Sequence, residues 1–134
     1  MNVFCLGCEQ IDSLWPAFGH HLERYELEGY DYAEAIRADL RIAQKQLWGL
    51  QGDDGKIAGI VVTKITDTPK GSRCDIHAAC GTSQGIKQAI ELVLPCIEEW
   101  AKAIGCTGVR VEGRMGWKRV LDYPQAGVIL EKEL

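Results

Sequence analysis

From Ser83 to Ile104 the apolar residues Ile86, Ile90, Val93, Ile97, Trp100 and Ile104 recur at three- and four-residue spacing, with Ala89, Leu94 and Ala101 beside them. Lys87, Gln88, Glu91, Glu98, Glu99 and Lys102 fall elsewhere, so the segment reads as one long helix with a single buried face. A helix of this kind needs an apolar surface to lie on, and a sheet is the economical way for a chain of 134 residues to supply it. The helix starts at a loop flanked by Gly81 and Gly85, where Thr82 or Ser83 can serve as the N-cap, and Gly105 is a natural C-terminal stop. Pro95 removes one backbone hydrogen bond near the middle, which predicts a kink or a division into two shorter helices.

The flanking segments supply the sheet. Residues 47–51 and 56–66 read as a hairpin about the turn Gly52-Asp53-Asp54-Gly55, with Ile57, Ile60, Val61, Val62 and Ile65 as a β-branched core. Residues 67–71 form a second turn, and residues 73–80 a strand antiparallel to the one before. After the long helix, residues 107–112 read as a strand that should lie parallel to residues 73–80, joined to it by a right-handed crossover. Upstream, residues 3–6 suggest a first strand. Asp12 can cap a helix carrying Ile11, Leu14, Trp15, Phe18, Leu22 and Tyr25 on its inner face, with Pro16 in the first turn. Asp31 with Glu34 suggests a capping box for a second helix whose inner face is Ile36, Leu40, Ala43 and Leu47. Residues 114–121 read as a short helix and 128–132 as a last strand. The expected fold is a single α/β (α+β) domain over residues 1–134, in the order β-α-α-β-β-β-α-β-α-β. Its sheet is mixed but mainly antiparallel, with helices on both faces.

Composition removes several function classes. The net charge is −4, and Arg110, Arg114, Lys118 and Arg119 are the nearest approach to a basic cluster, so nucleic acid is not an expected partner. No apolar run approaches the ~20 residues of a membrane span, and the N-terminus lacks a signal-peptide pattern, so a cytoplasmic protein is expected. Six cysteines then read as free thiols in the main. Cys5 and Cys8 form the sole C-x-x-C; a second pair for a structural zinc is lacking, and no metal is expected even with His20 and His21 on the first helix.

The order of elements resembles that of the GNAT superfamily of acyl-coenzyme A-dependent N-acyltransferases over nearly the whole chain. In that family the strand before the long helix runs into a loop of pattern Q/R-x-x-G-x-G/A. Backbone N–H groups of that loop, and the positive end of the helix after it, hold the cofactor pyrophosphate. The resemblance therefore implies acetyl-coenzyme A as the cofactor, held by Ala78, Ala79, Cys80, Gly81, Thr82, Ser83, Gln84, Gly85 and Ile86. The spacing departs from the family pattern: Gly81 and Gly85 are four apart, and Ala78 stands where Gln or Arg is usual. The stretch Gly113-Arg114-Met115-Gly116-Trp117-Lys118-Arg119-Val120-Leu121 is similar to the tails of small GNAT-like proteins of bacteriophages and prophages.

Acyl transfer to an amine needs a base for the amine and an acid for the departing thiolate. The resemblance points to Tyr123 as the acid, although a turn tyrosine before Pro124 needs no such role. Glu112, at a strand end, and His77, within the strand before the long helix, are the candidate bases; a strand-end carboxylate can equally cap a turn, and the imidazole can be tucked in. The segment Tyr30-Asp31-Tyr32 stands where the family shapes the acceptor pocket, and Arg114 with Trp117 can add an anion or stacking patch. The implied partners are an acyl-coenzyme A and an unknown amine, with a homodimer or a phage-protein partner left open. The alternative reading is a catalytically inactive GNAT-like phage or prophage structural or accessory protein that acts through protein contacts; a phage-encoded chain can be virion-associated.

Overall fold

The computed structural model describes residues 1–111 and 132–133. Strand β1 (Asn2–Leu6) leads through a 3-10 turn (Cys8–Gln10) into α1 (Ile11–Leu27) and α2 (Ala33–Arg41). Then follow β2 (Gln46–Gln51), β3 (Ile57–Thr68), β4 (Gly71–Gly81), α3 (Ser83–Ala103) and β5 (Gly108–Val111). The expected helix at residues 114–121 and the strand at 128–131 lie outside the described residues, and Lys132 is in no strand. The sheet order is β1-β2-β3-β4-β5, antiparallel throughout except for the parallel pair β4–β5. The long helix therefore does connect two parallel neighbours. No described helix is long and apolar enough to cross a membrane.

Helices cover both faces. Ile11, Trp15, Phe18 and Leu22 of α1 and Ile36 and Leu40 of α2 pack on Leu47, Ile60, Val62, Ala78 and Cys80. Ala89, Val93, Ile97 and Ala101 of α3 pack on Trp48, Leu50, Val61, Cys74 and Ile76 from the other side. Residues of β4 serve both cores because its pairing slips at one point. Val62 faces Ala78 and Thr63 faces Ile76, so His77 is an extra residue opposite no partner. Side chains alternate along a strand with period two, and one inserted residue exchanges the faces beyond it. Cys74 and Ile76 thus face α3, while Ala78 and Cys80 face α1 and α2.

Several local expectations give way to tertiary contacts. Asp12 does not cap α1, which is entered from the 3-10 turn; its carboxylate pairs with Arg41 at 2.8 Å and Arg37 at 3.0 Å, pinning α2 to α1. Because that helix starts at Ile11, Pro16 falls beyond the first turn, inside the helix. The capping box at Asp31 and Glu34 does not form. Tyr32 is the N-cap residue of α2, and the Glu26 carboxylate at the end of α1 accepts the Ala33 N–H at 3.1 Å. The inner face of α2 ends at Leu40: Ala43 is exposed with a left-handed φ of 60°, and Leu47 belongs to β2.

Helix α3 is continuous through Pro95, which rules out two separate helices. Pro95 and Glu91, the residue whose carbonyl loses its donor, both lie on the exposed face. The buried stripe is Gly85, Ala89, Ile90, Val93, Ile97 and Ala101; Trp100 is half-buried edge-on to Trp48, and Ile104 lies exposed beyond the helix end.

The parallel pair is locked by charge. Asp75 and Arg110 are register partners, with Nε to Oδ1 at 2.6 Å and a second guanidinium nitrogen to Oδ2 at 3.0 Å. Thr66 donates to the same carboxylate at 2.7 Å. Burial pushes the Asp75 carboxyl up, but hydrogen bonds from Arg110 and Thr66 and the charges of Arg110 and Lys64 outweigh it, and the net direction is down. Replacing Arg110 by Met should cost about 2–3 kcal/mol at pH 7, because a buried carboxylate is left without its cation while the guanidinium it loses is partly exposed. The depressed carboxyl contributes stability that is fully present above its unfolded value near about pH 3.9 and is lost as pH falls through the folded value. Urea unfolding should therefore show the gap between wild type and Arg110→Met shrinking toward pH 3.

Candidate functional site

The bulge places His77 apart from the ladder, half-buried on β4 just beyond the last residue paired with β5. Its Nε2 lies 2.7 Å from Oδ2 of Asp31, in the segment between α1 and α2. The other Asp31 oxygen accepts the Tyr32 N–H at 2.8 Å. Tyr25, on the last turns of α1, donates its hydroxyl to the His77 carbonyl at 3.3 Å, and the Tyr30 ring stacks on it at 5.0 Å. The α1–α2 segment is thus tied to the β4 bulge by an ion-pairing contact, a hydroxyl and an aromatic stack. Tyr30 is partly exposed and Tyr32 largely so, at the rim of this cluster.

Beyond the bulge, β4 runs into α3. Thr82 is the N-cap: its side-chain oxygen accepts the Gly85 N–H at 2.9 Å, and its carbonyl accepts the Ile86 N–H at 2.8 Å. Ser83 and Gln84 are exposed in the first turn, with N–H groups that helix geometry cannot pair. No acidic residue stands in that turn. The side chains of Ala78 and Cys80 are buried against α1 and α2, so these two residues offer a ligand backbone only.

The glycines answer a packing demand. A Cβ on Gly81, whose φ is +153°, would lie 2.5 Å from the Ala58 carbonyl oxygen, and one on Gly59 would lie 2.8 Å from the Gly85 carbonyl oxygen. A Cβ on Gly85 would overlap the Ala58 carbonyl outright. The loop and the first turn of α3 therefore press directly on the start of β3. This contact accounts for the glycines at 59, 81 and 85.

Of the sequence-predicted residues, the structure brings together His77, Tyr30 and Tyr32, with the loop of residues 78–86 further along the same strand. Glu112, Arg114, Trp117 and Tyr123 lie outside the described residues. Asp31 falls within the expected pocket wall, but its contact with His77 was not legible, and Tyr25 was not expected at the site. Asp31 has the local pattern of a helix cap and Tyr25 that of a core residue, and their partner is distant in sequence. The rings of His20 and His21 touch at 4.0 Å, but His21 is buried on the Ile57 carbonyl at 3.1 Å while His20 is exposed. Burial lowers the His21 imidazole pKa, so it is a neutral structural group. Cys5 and Cys8 are free and exposed, burial raises the Cys5 thiol, and among the described residues no three His, Cys, Asp or Glu side chains converge as a metal site. Cys74 is buried, with its thiol pushed up to about 12, and is inert near neutral pH.

No protein-family model matches the chain, and no curated protein sequence does. Solved structures are similar along its whole length. A probable acetyltransferase is 16% identical with a TM-score of 0.70, covering 100% of this chain and 97% of its own. The ribosomal-protein-alanine N-acetyltransferase of Brucella melitensis biovar Abortus 2308 is 8% identical with a TM-score of 0.68, over 99% of this chain and 100% of its own. An aminoglycoside acetyltransferase from an uncultured soil metagenomic sample, solved with sisomicin, is 12% identical with a TM-score of 0.71, over 99% and 95%. At these identities the likeness establishes the fold alone, which is GNAT-like, with a mainly antiparallel sheet of five strands among the described residues.

Two substitutions separate capping from packing at this loop. Thr82→Ala should cost about 1 kcal/mol, the usual value of a lost N-cap bond. Gly85→Ala should cost more, because its methyl meets backbone rather than a movable side chain. Urea denaturation midpoints of the two variants check the order.

Proposed function

We propose that the chain is an N-acyltransferase that takes the acetyl group of acetyl-coenzyme A and delivers it to an amine. The observation that carries this reading is a juxtaposition on one strand. The half-buried His77 stands at the β4 bulge, and the same strand ends a few residues on at the unpaired N-terminal donors of a 21-residue helix. The GNAT-like fold supports it.

The donor set fits the cofactor. A pyrophosphate is doubly anionic, and the first turn of α3 offers the Ser83 and Gln84 N–H groups, the positive end of the helix dipole and no carboxylate to oppose it. These two residues, with the backbone of residues 78–82 leading to them, would hold the pyrophosphate. When bound, acetyl-coenzyme A supplies a thioester activated for attack by an amine. The protein's own contribution is to bind, orient and move protons. His77 accepts the proton that an ammonium must lose before its nitrogen is nucleophilic. Tyr30 and Tyr32 form an aromatic rim suited to the acceptor, a cationic amine attracted to ring faces.

Calorimetry with acetyl-coenzyme A tests the reading. Saturable binding is expected, and Ser83→Pro should weaken it about tenfold, the value of one charge-assisted hydrogen bond. Proline is well tolerated at the first helical position, and Thr82 already has the extended backbone (φ −67°, ψ 160°) that a following proline requires. Unfolding temperature without cofactor should therefore hardly change. Sisomicin and an alanine-terminated peptide, chosen from the acceptors named for similar folds, are suitable first amines for a thiol-release assay. Absence of binding at millimolar acetyl-coenzyme A would overturn the proposal and favour a non-catalytic accessory role.

A further inference from the structure

We infer that Asp31 is a positioning residue for His77, fixing its tautomer so that Nδ1 is the proton-accepting atom. The inference takes its chemistry from the acyltransfer reading above, but its geometry is independent of it.

The Asp31 carboxylate can accept but not donate, so the 2.7 Å contact requires the proton to reside on Nε2 of the neutral ring. Among the described residues Nδ1 has no hydrogen-bond partner, and it is left as the basic nitrogen. The carboxylate is itself held on both oxygens, by His77 on one side and the Tyr32 N–H at 2.8 Å on the other. The Tyr25 hydroxyl fixes the backbone of His77 at its carbonyl, and Tyr30 braces Tyr25. The ring is thereby held at its backbone and at its far nitrogen, which leaves it little rotational freedom.

The step this serves is a proton transfer. An acceptor ammonium gives one proton to Nδ1 and becomes a free amine, and the ring becomes an imidazolium carrying protons on both nitrogens. The Asp31 carboxylate facing Nε2 stabilises that cation, and the proton then passes from Nδ1 to water, restoring the starting tautomer. The same arrangement of an acidic group behind an imidazole orients the base in nucleophilic hydrolases, where it does not take up the proton.

Nitrogen-15 NMR of histidine-labelled protein above the imidazole titration range reads the tautomer directly, with or without turnover. The wild type should show Nε2 of His77 as the upfield, protonated nitrogen, with its attached hydrogen at a downfield proton shift and protected from exchange. Asp31→Ala should lose that protection, and Asp31→Glu should restore it in part. If Asp31→Ala does not fold, Asp31→Leu, which also lacks an acceptor, carries the same comparison. With acetyl-coenzyme A and sisomicin or an alanine-terminated peptide, whichever turns over, Asp31→Ala should lower kcat about 10- to 100-fold, with KM for the amine changed less than about threefold. A proton on Nδ1 in the wild type, or a protected Nε2 resonance that survives Asp31→Ala, overturns the positioning role. So does a raised KM with unchanged kcat, which would make Asp31 an acceptor-binding group. Lack of turnover by the wild type with the NMR signature intact overturns the acyltransfer reading and leaves the tautomer assignment standing.

Discussion

The fold depends on one inserted residue. A strand that packs on helices at both faces must present apolar side chains alternately up and down, and β4 does so only because His77 breaks the count. Without it, Ala78 and Cys80 would fall on the α3 face with Cys74 and Ile76, and the α1–α2 core would lose its floor along that strand. The same insertion frees His77 from a cross-strand partner. A structural parity switch and an imidazole released from the ladder are thus one event, and the candidate base sits just beyond the point where the described pairing of β4 with β5 ends.

A second constraint acts where β4 ends. The α3 face that meets the sheet is built of small residues at its start, Gly85 and Ala89, and Gly59 on β3 receives them with no Cβ of its own. Close approach of the helix to the sheet brings the first turn of α3 to the edge of β3, and Thr82 satisfies the inner N–H while the two outer ones stay exposed. Packing and donor display come from the same glycines. The contact with Ala58 sets where these glycines must be.

Regular elements were legible in the sequence where hydrophobic period governs them: the hairpin about residues 52–55, the long helix, and the parallel strands it joins. Their burial repeats locally, and no distant residue can alter it. Caps were not legible. Asp12 and Asp31 both have the local pattern of an N-cap, yet each carboxylate is committed to a partner distant in sequence, Arg37 and Arg41 for one and His77 for the other. A side-chain cap is worth about 1 kcal/mol, and a charge-assisted contact made by the fold can exceed it. The bulge was hidden for a related reason: His77 lies within a run of strand-like residues, and only the register against β3 reveals which one is extra. The site was half legible, in that His77 and the segment of residues 30–32 were visible and the contact of Asp31 with His77 that joins them was not.

Two acid–base pairs hang on β4 two residues apart, and their burial assigns them different work. Asp75 is buried and satisfied by Arg110 and Thr66 at once, so its pair cannot open without exposing an unpaired charge to a low dielectric. That pair belongs to the frame that holds β5 beside β4. The pair of His77 and Asp31 is partly exposed on both sides, at 22% and 28% of the side-chain surface, so water can compensate either partner when it parts. Its contribution to stability is correspondingly smaller, and its cost of rearrangement is low. The proton transfer proposed for His77 needs the second environment, and a charge that only holds two strands together needs the first. On this strand the bulge separates them: Asp75 lies before it in register with Arg110, and His77 is the extra residue itself.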